Sequence, residues 1–160
     1  MVTIERVEPQ EEAEALGEIL HACVLGGASV HFVLPFTPEE ATAYWRNTAG
    51  RYVLLAREDG RALGTVSLIL DTPPNQRHRA EVSKMLVHPD ARRRGLGRRL
   101  LEAIEDVARQ EGRTLLTLDT ETGGDAERLY QSMGYLRVGD IPDFALDKDD
   151  VRPLLLKEDE

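Results

Sequence analysis

The sequence is poor in features that mark several classes of protein. Its 160 residues contain one cysteine, Cys23, which excludes an internal disulfide framework. No apolar run approaches the ~20 residues of a membrane-spanning helix. The N-terminal segment has neither the basic stretch nor the apolar stretch of a secretory signal. The four histidines show no metal-ligand spacing, so no metal site is expected. These absences predict a cytoplasmic protein that does not bind membranes.

Charge is plentiful but unbalanced. Acidic residues number 29 and basic residues 20, which gives a formal net charge of -9. This excess argues against nucleic-acid binding and favours cationic small-molecule partners. The hydrophobic share of 41% is that of a globular chain. The length suits one domain, and we expect residues 1–160 to form it.

The spacing of apolar residues predicts the order of helices and strands. Alternation indicates strands, and recurrence every three to four residues indicates helices. The predicted strands are 2–9, 51–58, 61–70, 78–87, 114–119, 135–140 and 151–157, and the predicted helices are 10–25, one from Pro38, 97–111 and 124–133. This order is neither a regular βαβ alternation nor an all-β pattern, so it predicts a mixed sheet covered by helices.

Local signals support several of these elements. Cys23 lies on the apolar side of the predicted helix 10–25, which favours a buried structural thiol. Thr37 can cap the next helix, with Glu40 completing a capping box. Asp59-Gly60 predicts a hairpin turn between two strands. The apolar run 114–119 predicts a strand deep in the sheet.

An arginine-rich segment between a strand and a helix stands out against the negative charge. In "MLVHPDARRRGLGRRLL", residues 85–101, five arginines fall within residues 92–99. Free amides at a helix N-terminus, together with the helix dipole, favour an anion. Gly95 and Gly97 would let that anion touch the backbone, and arginines add charge without a metal. The segment therefore predicts a diphosphate site.

Three other interpretations of this segment compete with a diphosphate site. A Walker A loop needs a lysine after its glycines, and none follows here. A dinucleotide fingerprint is a closer rival because Asp119 lies where a ribose-binding acid would, but Leu100 occupies the third glycine position. An arginine-rich, solvated helix start without a ligand remains open.

Two motifs in this part of the chain resemble a known superfamily. Arg92-Arg93-Arg94-Gly95-Leu96-Gly97 resembles the Q/R-x-x-G-x-G/A signature of the GNAT acetyltransferases. "AERLYQSMGY", residues 126–135, resembles their A-x-x-L-Y-x-x-x-G-F/Y segment. "HRAEVSKMLVHPDARRRGLG" and "LLTLDTE" are similar, more narrowly, to the tabtoxin-resistance-like branch. The resemblance implies a single α/β (α+β) GNAT-like domain, with a mostly antiparallel sheet of about seven strands and about four helices.

The resemblance also implies an activity and a donor site. The implied reaction moves the acetyl group of acetyl-CoA directly to a primary amine of an amino-acid-like or antibiotic-like small molecule. The backbone of Leu86 and Val87 would pair with the pantetheine arm. The pyrophosphate would be held by Arg92, Arg93, Arg94, Gly95, Leu96, Gly97 and Arg98. One departure is Gly123, which stands where the superfamily often has an asparagine.

The implied general base is Glu81, in the strand that leads to the donor site. An ammonium has no lone pair, so the acceptor must lose a proton before it attacks a thioester. A cross-strand charge partner is the alternative role for this carboxylate. Strand alternation predicts one face with Glu81, Ser83 and Met85 and another with Val82, Lys84 and Leu86.

Two further side chains are candidates for the chemistry. Asp119, at the end of an apolar strand, could bind the acceptor ammonium or remove its proton, or it could be a simple turn carboxylate. Tyr130, in the L-Y-x-x-x-G segment, is the implied acid for the departing thiolate. General acid catalysis contributes ~10²–10⁴-fold. The alternative for Tyr130 is a core residue with a tethered hydroxyl.

The acceptor end is the least specified part of the sequence. In the superfamily, the region corresponding to residues 26–45 shapes acceptor specificity. A protein N-terminus or a lysine is an alternative acceptor, and a non-catalytic acetyl-CoA sensor is an alternative function. The sequence leaves a homodimer open.

Overall fold

A computed structural model describes residues 1–27, 32, 35–120 and 123–140 of the chain. Within these residues there are five strands and four α-helices. In chain order they are β1 (Val2–Val7), α1 (Ala13–Leu25), α2 (Pro38–Arg46), β2 (Arg51–Glu58), β3 (Arg61–Ile69), β4 (Arg79–Val87), α3 (Leu96–Gln110), β5 (Leu115–Thr117) and α4 (Asp125–Ser132). No helix in this part of the chain is long and apolar enough to cross a bilayer.

The strands form one mixed sheet in the order β1-β2-β3-β4-β5. The first four are antiparallel neighbours, and β5 runs parallel to β4. Asp59 and Gly60 join β2 to β3 with φ of 52° and 80°, the left-handed pair that a tight hairpin turn needs. The predicted hairpin and the predicted mixed, mostly antiparallel α/β fold are both confirmed.

The predicted strand at 135–140 is wrong. Leu136 and Val138 are 87% and 99% exposed, and the Tyr135 amide donates to the Tyr130 carbonyl at 3.0 Å, closing the end of α4. A strand needs a neighbour to bond its amides and carbonyls, and no described residue pairs with this segment. The predicted strand 151–157 lies outside the described residues. The described sheet therefore has five strands, where about seven were expected.

Within the described residues, the apolar run 114–119 does not take the central position in the sheet that is predicted for it. Its strand, β5, is the last in the described sheet and pairs with β4 at only three positions. Leu115 is 48% exposed. A short apolar run does not by itself distinguish a central strand from a terminal one.

The sheet separates two apolar cores. Along β2, Val53 and Leu55 pack with α1 and α2, while Leu54 and Ala56 pack with α3. The α1–α2 pair is close: a Cβ added at Gly17 would lie 2.9 Å from the Thr42 backbone. Helices therefore cover both faces, as the element order predicts.

Helix ends follow the predicted signals. Thr37 accepts a hydrogen bond from the Glu40 amide at 3.1 Å, with Pro38 opening α2. After α3, Gly112 has φ of 74°, a left-handed conformation that ends a helix readily in glycine. The helix α3 therefore ends shortly before β5 and connects that strand to the arginine-rich loop at residues 92–95.

A bulge in β4 overturns the predicted alternation of that strand. Ser83 pairs with Ser67 but Leu86 pairs with Thr65, so β4 carries one extra residue in this interval. Lys84 has φ of 50°, unusual for a residue other than glycine. Such an insertion reverses the direction of every later side chain. Val82 accordingly packs in the α3 core and Leu86 in the opposite core, although one face was predicted for both.

Candidate active site

A cleft of about 900 Å³ opens where β4 and β5 separate. The two strands pair only over Arg79–Glu81 and Leu115–Thr117. Beyond that point the walls include residues 82–87 of β4, residues 91–93 and 95–98 of the loop and helix start, and residues of α4. The cleft therefore lies beyond the point where the parallel pairing of β4 and β5 ends.

One end of the cleft is the start of α3. Gly95 precedes the helix with φ of 74°, and Arg93 also has a left-handed φ of 64°. The first intrahelical bond joins the Arg99 amide to the Gly95 carbonyl at 3.2 Å. The backbone amides of residues 96–98 therefore have no hydrogen-bond acceptor within the helix. Free amides at the start of a helix can bind a phosphate.

The arginines of the loop do not all face the cleft. Arg92, Arg93 and Arg98 line it, and Arg98 also donates to Ser132 Oγ at 3.0 Å. Arg94 instead donates to both carboxylate oxygens of Glu58, at 2.8 and 3.0 Å. That contact holds the pKa of the Glu58 carboxyl below its usual range. Three of these four arginines therefore line the cleft. Their guanidinium groups and the free amides of α3 are hydrogen-bond donors suited to a diphosphate.

Gly97 is held in a tight contact at the start of α3. A Cβ added there would lie 3.1 Å from Met85 Cε and 3.2 Å from Leu129 Cδ2. The glycine therefore lets the first turn of α3 approach both β4 and α4. A small residue at this position favours close packing, and it would also leave the backbone accessible, which is the role predicted for Gly97.

The predicted pantetheine contacts lie on β4. Leu86 and Val87 pair with Thr65 and Gly64 of β3, and both line the cleft. The Cys23 thiol donates to the Val87 carbonyl at 3.3 Å. Burial raises the pKa of this thiol, although the Arg92 charge opposes that shift. Cys23 is thus the buried thiol that the sequence predicts, packed against the wall of the cleft.

Tyr130 projects from α4 into the cleft and is only 7% exposed. Its ring centroid lies 5.6 Å from that of Tyr135. Burial, with a smaller contribution from the Asp119 charge, raises the pKa of Tyr130 to about 12. The phenol therefore keeps its proton throughout the physiological range, as a proton donor must.

The two candidate carboxylates occupy different positions. Asp119 lines the cleft, two residues after the end of β5. Glu81 pairs with Ile69 on one side and Thr117 on the other, at the last position before β4 and β5 separate. Among the described residues, the lining of the cleft includes Asp119 and Tyr130 but not Glu81.

Lys84 lines the cleft although the sequence did not single it out. It is 9% exposed, and its Nζ lies 5.9 Å from the ring centroid of Phe32 and 5.5 Å from that of Tyr44. Burial lowers the pKa of its ammonium, and the Arg51 charge lowers it further. Asp119 and Glu81 oppose this shift. The available signal was a lysine at a position that strand alternation assigns to an apolar face.

The departure at Gly123 has a conformational explanation. Its φ is 85°, where glycine carries no steric penalty. Its amide donates to Glu127 Oε1 at 3.2 Å, just before α4 begins. Glycine therefore suits the turn that leads into the helix bearing Tyr130.

Comparison with known proteins agrees with this geometry. Residues 17–135 match the acetyltransferase (GNAT) family. The L-amino acid N-acyltransferase MnaT of Escherichia coli strain K12 is 30% identical over 141 residues, which cover 86% of this chain and 81% of that protein. An uncharacterized N-acetyltransferase encoded in the hisH-hisA intergenic region of Azospirillum brasilense is 31% identical over 125 residues, 74% of each chain.

The solved structure of yncA, a putative acetyltransferase from Salmonella typhimurium with its cofactor acetyl-CoA, has the same fold. The TM-score is 0.75 at 26% sequence identity, and the match covers 92% of this chain and 86% of that one. The superfamily predicted from the two sequence motifs is therefore confirmed. The chain belongs to the GNAT family of acetyltransferases.

Proposed function

We propose that this acetyltransferase moves the acetyl group of acetyl-CoA to the primary amine of a small, amino-acid-like molecule. The observation that carries the proposal is a single cleft lined by the arginine loop, Asp119 and Tyr130. The yncA structure contains acetyl-CoA, and MnaT is named for acyl transfer to L-amino acids. Both support the assignment of donor and acceptor.

The donor end would bind through backbone and charge. Acetyl-CoA supplies an acetyl thioester, which is an activated acyl donor. The first-turn amides of α3, with Arg92, Arg93 and Arg98, would hold its diphosphate. The β4 edge at Leu86 and Val87 would hold the pantetheine arm by strand-like hydrogen bonds. Arg94 would contribute mainly through its pairing with Glu58.

The acceptor end would handle two protons. Asp119 would accept the proton that the acceptor ammonium must lose, with Glu81 as the alternative base. Tyr130 would donate its phenolic proton to the sulfur that leaves, and the second proton that the nitrogen loses as the amide forms would restore the phenol. A phenol whose pKa is about 12 stays protonated until that moment. This assignment gives the two groups opposite roles in one cleft.

The finer expectations from the sequence stay predictions. They are membership of the tabtoxin-resistance-like branch, a small molecule as the acceptor, and the contribution of Glu81. A possible homodimer is a further prediction. The absence of nucleic-acid and membrane partners, expected from the charge and hydropathy of the chain, also stays a prediction.

Release of free CoA thiol in the presence of an amine panel tests the proposal. The panel should contain L-amino acids, amine-bearing antibiotics, a peptide N-terminus and a lysine peptide, with acetylated product identified by mass spectrometry. We expect thiol and acetylated small molecule in equal amounts. If acetyl-CoA raises the melting temperature but no amine is acetylated, the protein is a sensor. If only the peptides are acetylated, the small-molecule assignment is wrong.

A further inference from the structure

Lys84 is a buried cation whose place in the cleft the proposed proton steps do not explain. It is 9% exposed and belongs to the cleft lining, where two aromatic rings lie within 6 Å of its ammonium and Asp119 and Glu81 act on it as opposite charges. A buried ammonium is unfavourable unless something pairs with it. Because burial and Arg51 outweigh these two carboxylates and the net shift of the Lys84 pKa is downward, an anion on a bound molecule would stabilise the ammonium further.

The backbone directs Lys84 to this position. The residue sits in the bulge of β4, with φ of 50°. Left-handed backbone in a lysine is strained, and such strain persists where the surrounding structure imposes it, often at functional sites. Without the extra residue, strand alternation would give the side chains after Ser83 the opposite directions. The bulge thus aims a lysine, at some energetic cost, into the cleft.

A second cation, the guanidinium of Arg51, lies near Lys84 and makes the surroundings of its ammonium more positive. The Lys84 ammonium lies 5.5 Å from the Tyr44 ring centroid, and the Arg51 guanidinium lies 6.0 Å from the same centroid. Arg51 Nη1 also donates to the Tyr44 hydroxyl at 2.6 Å. Two cations on one ring repel each other. An anion that reaches Lys84 through the cleft would relieve both that repulsion and the burial penalty.

We propose that Lys84 binds the carboxylate of the acceptor, so that the preferred acceptor is an amino acid and not a simple amine. This inference rests on the proposed function and deepens it. Asp119 and Glu81 carry the opposite charge near the same lysine. An amino acid would present its ammonium to a carboxylate of the site and its own carboxylate to Lys84. This opposed pair of charges would orient the acceptor before proton transfer.

The test compares two acceptors in several variants. The acceptors are the best L-amino acid of the panel and its primary amide, which keeps the amine and side chain but lacks the negative charge. The readout is the ratio of kcat/KM for the acid to kcat/KM for the amide. Differences in amine basicity between the two acceptors cancel when this ratio is compared across variants.

We expect Lys84→Met to lower the ratio by ~10- to 100-fold, the range for losing a hydrogen bond to a charged group. Lys84→Arg should retain part of the preference, and Lys84→Gln provides a polar variant of similar length should the methionine variant misfold. Arg109→Met, which removes an exposed arginine paired with Asp106, should leave the ratio unchanged. The melting temperature of Lys84→Met should match or exceed that of the parent because a buried charge is removed.

Two other results would overturn the inference in different ways. If acid and amide lose activity equally in Lys84→Met and Lys84→Gln, Lys84 does not bind the carboxylate. If the parent binds acetyl-CoA but acetylates neither acceptor, the proposed function itself fails, and this inference fails with it.

Discussion

The two ends of the cleft are built in different ways. The proposed donor end is one segment, residues 92–98, whose arginines are exposed and whose residues other than Arg94 line the cleft. The acceptor end combines the buried Lys84 and Tyr130 with Asp119, from three separate parts of the chain. The difference teaches that a site made of backbone leaves a compact sequence motif, whereas a site made of buried side chains does not.

Burial also separates the two ends energetically. An exposed charge is screened by water and salt, so each arginine contributes modestly. A buried phenol or ammonium interacts in a lower dielectric, where burial shifts its pKa and strengthens its contacts. We therefore expect large losses of activity or of acetyl-CoA binding when a buried acceptor-end side chain or a donor-end glycine is replaced. Replacing a single donor-end arginine should have a small effect.

The largest expected effect is loss of cofactor binding in Gly97→Glu. The new carboxylate would occupy the helix start, where it repels a diphosphate but interacts well with the helix dipole. The tight contacts of its Cβ are with the flexible ends of Met85 and Leu129, and Val87 Cγ2 lies at an ordinary contact distance of 3.8 Å, so the fold should persist. Acetyl-CoA at ~100 times Kd should stabilise the parent by ~2.7 kcal/mol, several degrees in melting temperature. The variant should show no shift.

Arg109→Glu is the matched control for this experiment. It adds negative charge to the same helix, but at the exposed end distant from the cleft. Its acetyl-CoA shift should equal that of the parent. A normal shift in folded Gly97→Glu would place the diphosphate site elsewhere and remove the contrast between the two ends.

The next largest effect is expected for Tyr130→Phe. The substitution keeps the packed ring and removes only the proton, so kcat should fall by ~10- to 10³-fold, toward the range for one general acid. KM and the acetyl-CoA shift should change little, since the lost interaction serves the chemical step. Measuring kcat and melting temperature on one preparation separates this outcome from destabilisation. A near-parent kcat with chemistry rate-limiting would exclude Tyr130 as the acid.

The same contrast explains how far sequence alone could predict this molecule. The donor loop was predictable because its glycines and arginines are adjacent and their function depends on local backbone. The hairpin at Asp59-Gly60 and the cap at Thr37 were predictable for the same reason. Each of these features is decided by a few consecutive residues.

Features that depend on distant partners were not predictable. The role of Lys84 depends on a bulge in the β3–β4 register, and no local signal distinguishes that bulge from regular alternation. The place of β5 in the sheet depends on which strands it neighbours, not on the apolar run that forms it. Segment 135–140 has strand-like alternation but no described neighbour to complete a ladder.

A smaller effect is expected in the pH dependence of stability. Tyr130 has a pKa of about 12 in the fold, against about 10 for an unperturbed phenol in the unfolded chain. Its contribution is complete below pH 10, where both states hold the proton, and is lost as pH rises toward 12, where only the folded state keeps it. The parent should lose up to about 2–3 kcal/mol more than Tyr130→Phe across this window. Urea unfolding of both proteins at several pH values measures the difference.

That comparison has an internal control. From pH 7 to 9 neither state of Tyr130 titrates, so the stability curves of parent and variant should run parallel. If the stability curves of parent and variant stay parallel up to pH 11, the fold does not raise the pKa of the Tyr130 phenol. The claim that burial keeps Tyr130 protonated at the acceptor end would then fail.

The smallest effects concern individual arginines at the donor end, where Arg92 and Arg94 form a matched pair. Arg92 lines the cleft, whereas Arg94 is bound to Glu58. Arg92→Ala should weaken acetyl-CoA binding by about 2- to 5-fold, as for an exposed charge contact, and Arg94→Ala by less. Raising salt should weaken binding by the parent and reduce the difference between the variants, because both contributions are screened. Titration calorimetry at two salt concentrations checks this. An Arg94→Ala effect larger than that of Arg92→Ala would show that orientation toward the cleft does not decide which arginines bind. Acetyl-CoA affinity that does not depend on salt would contradict the electrostatic contribution of both arginines.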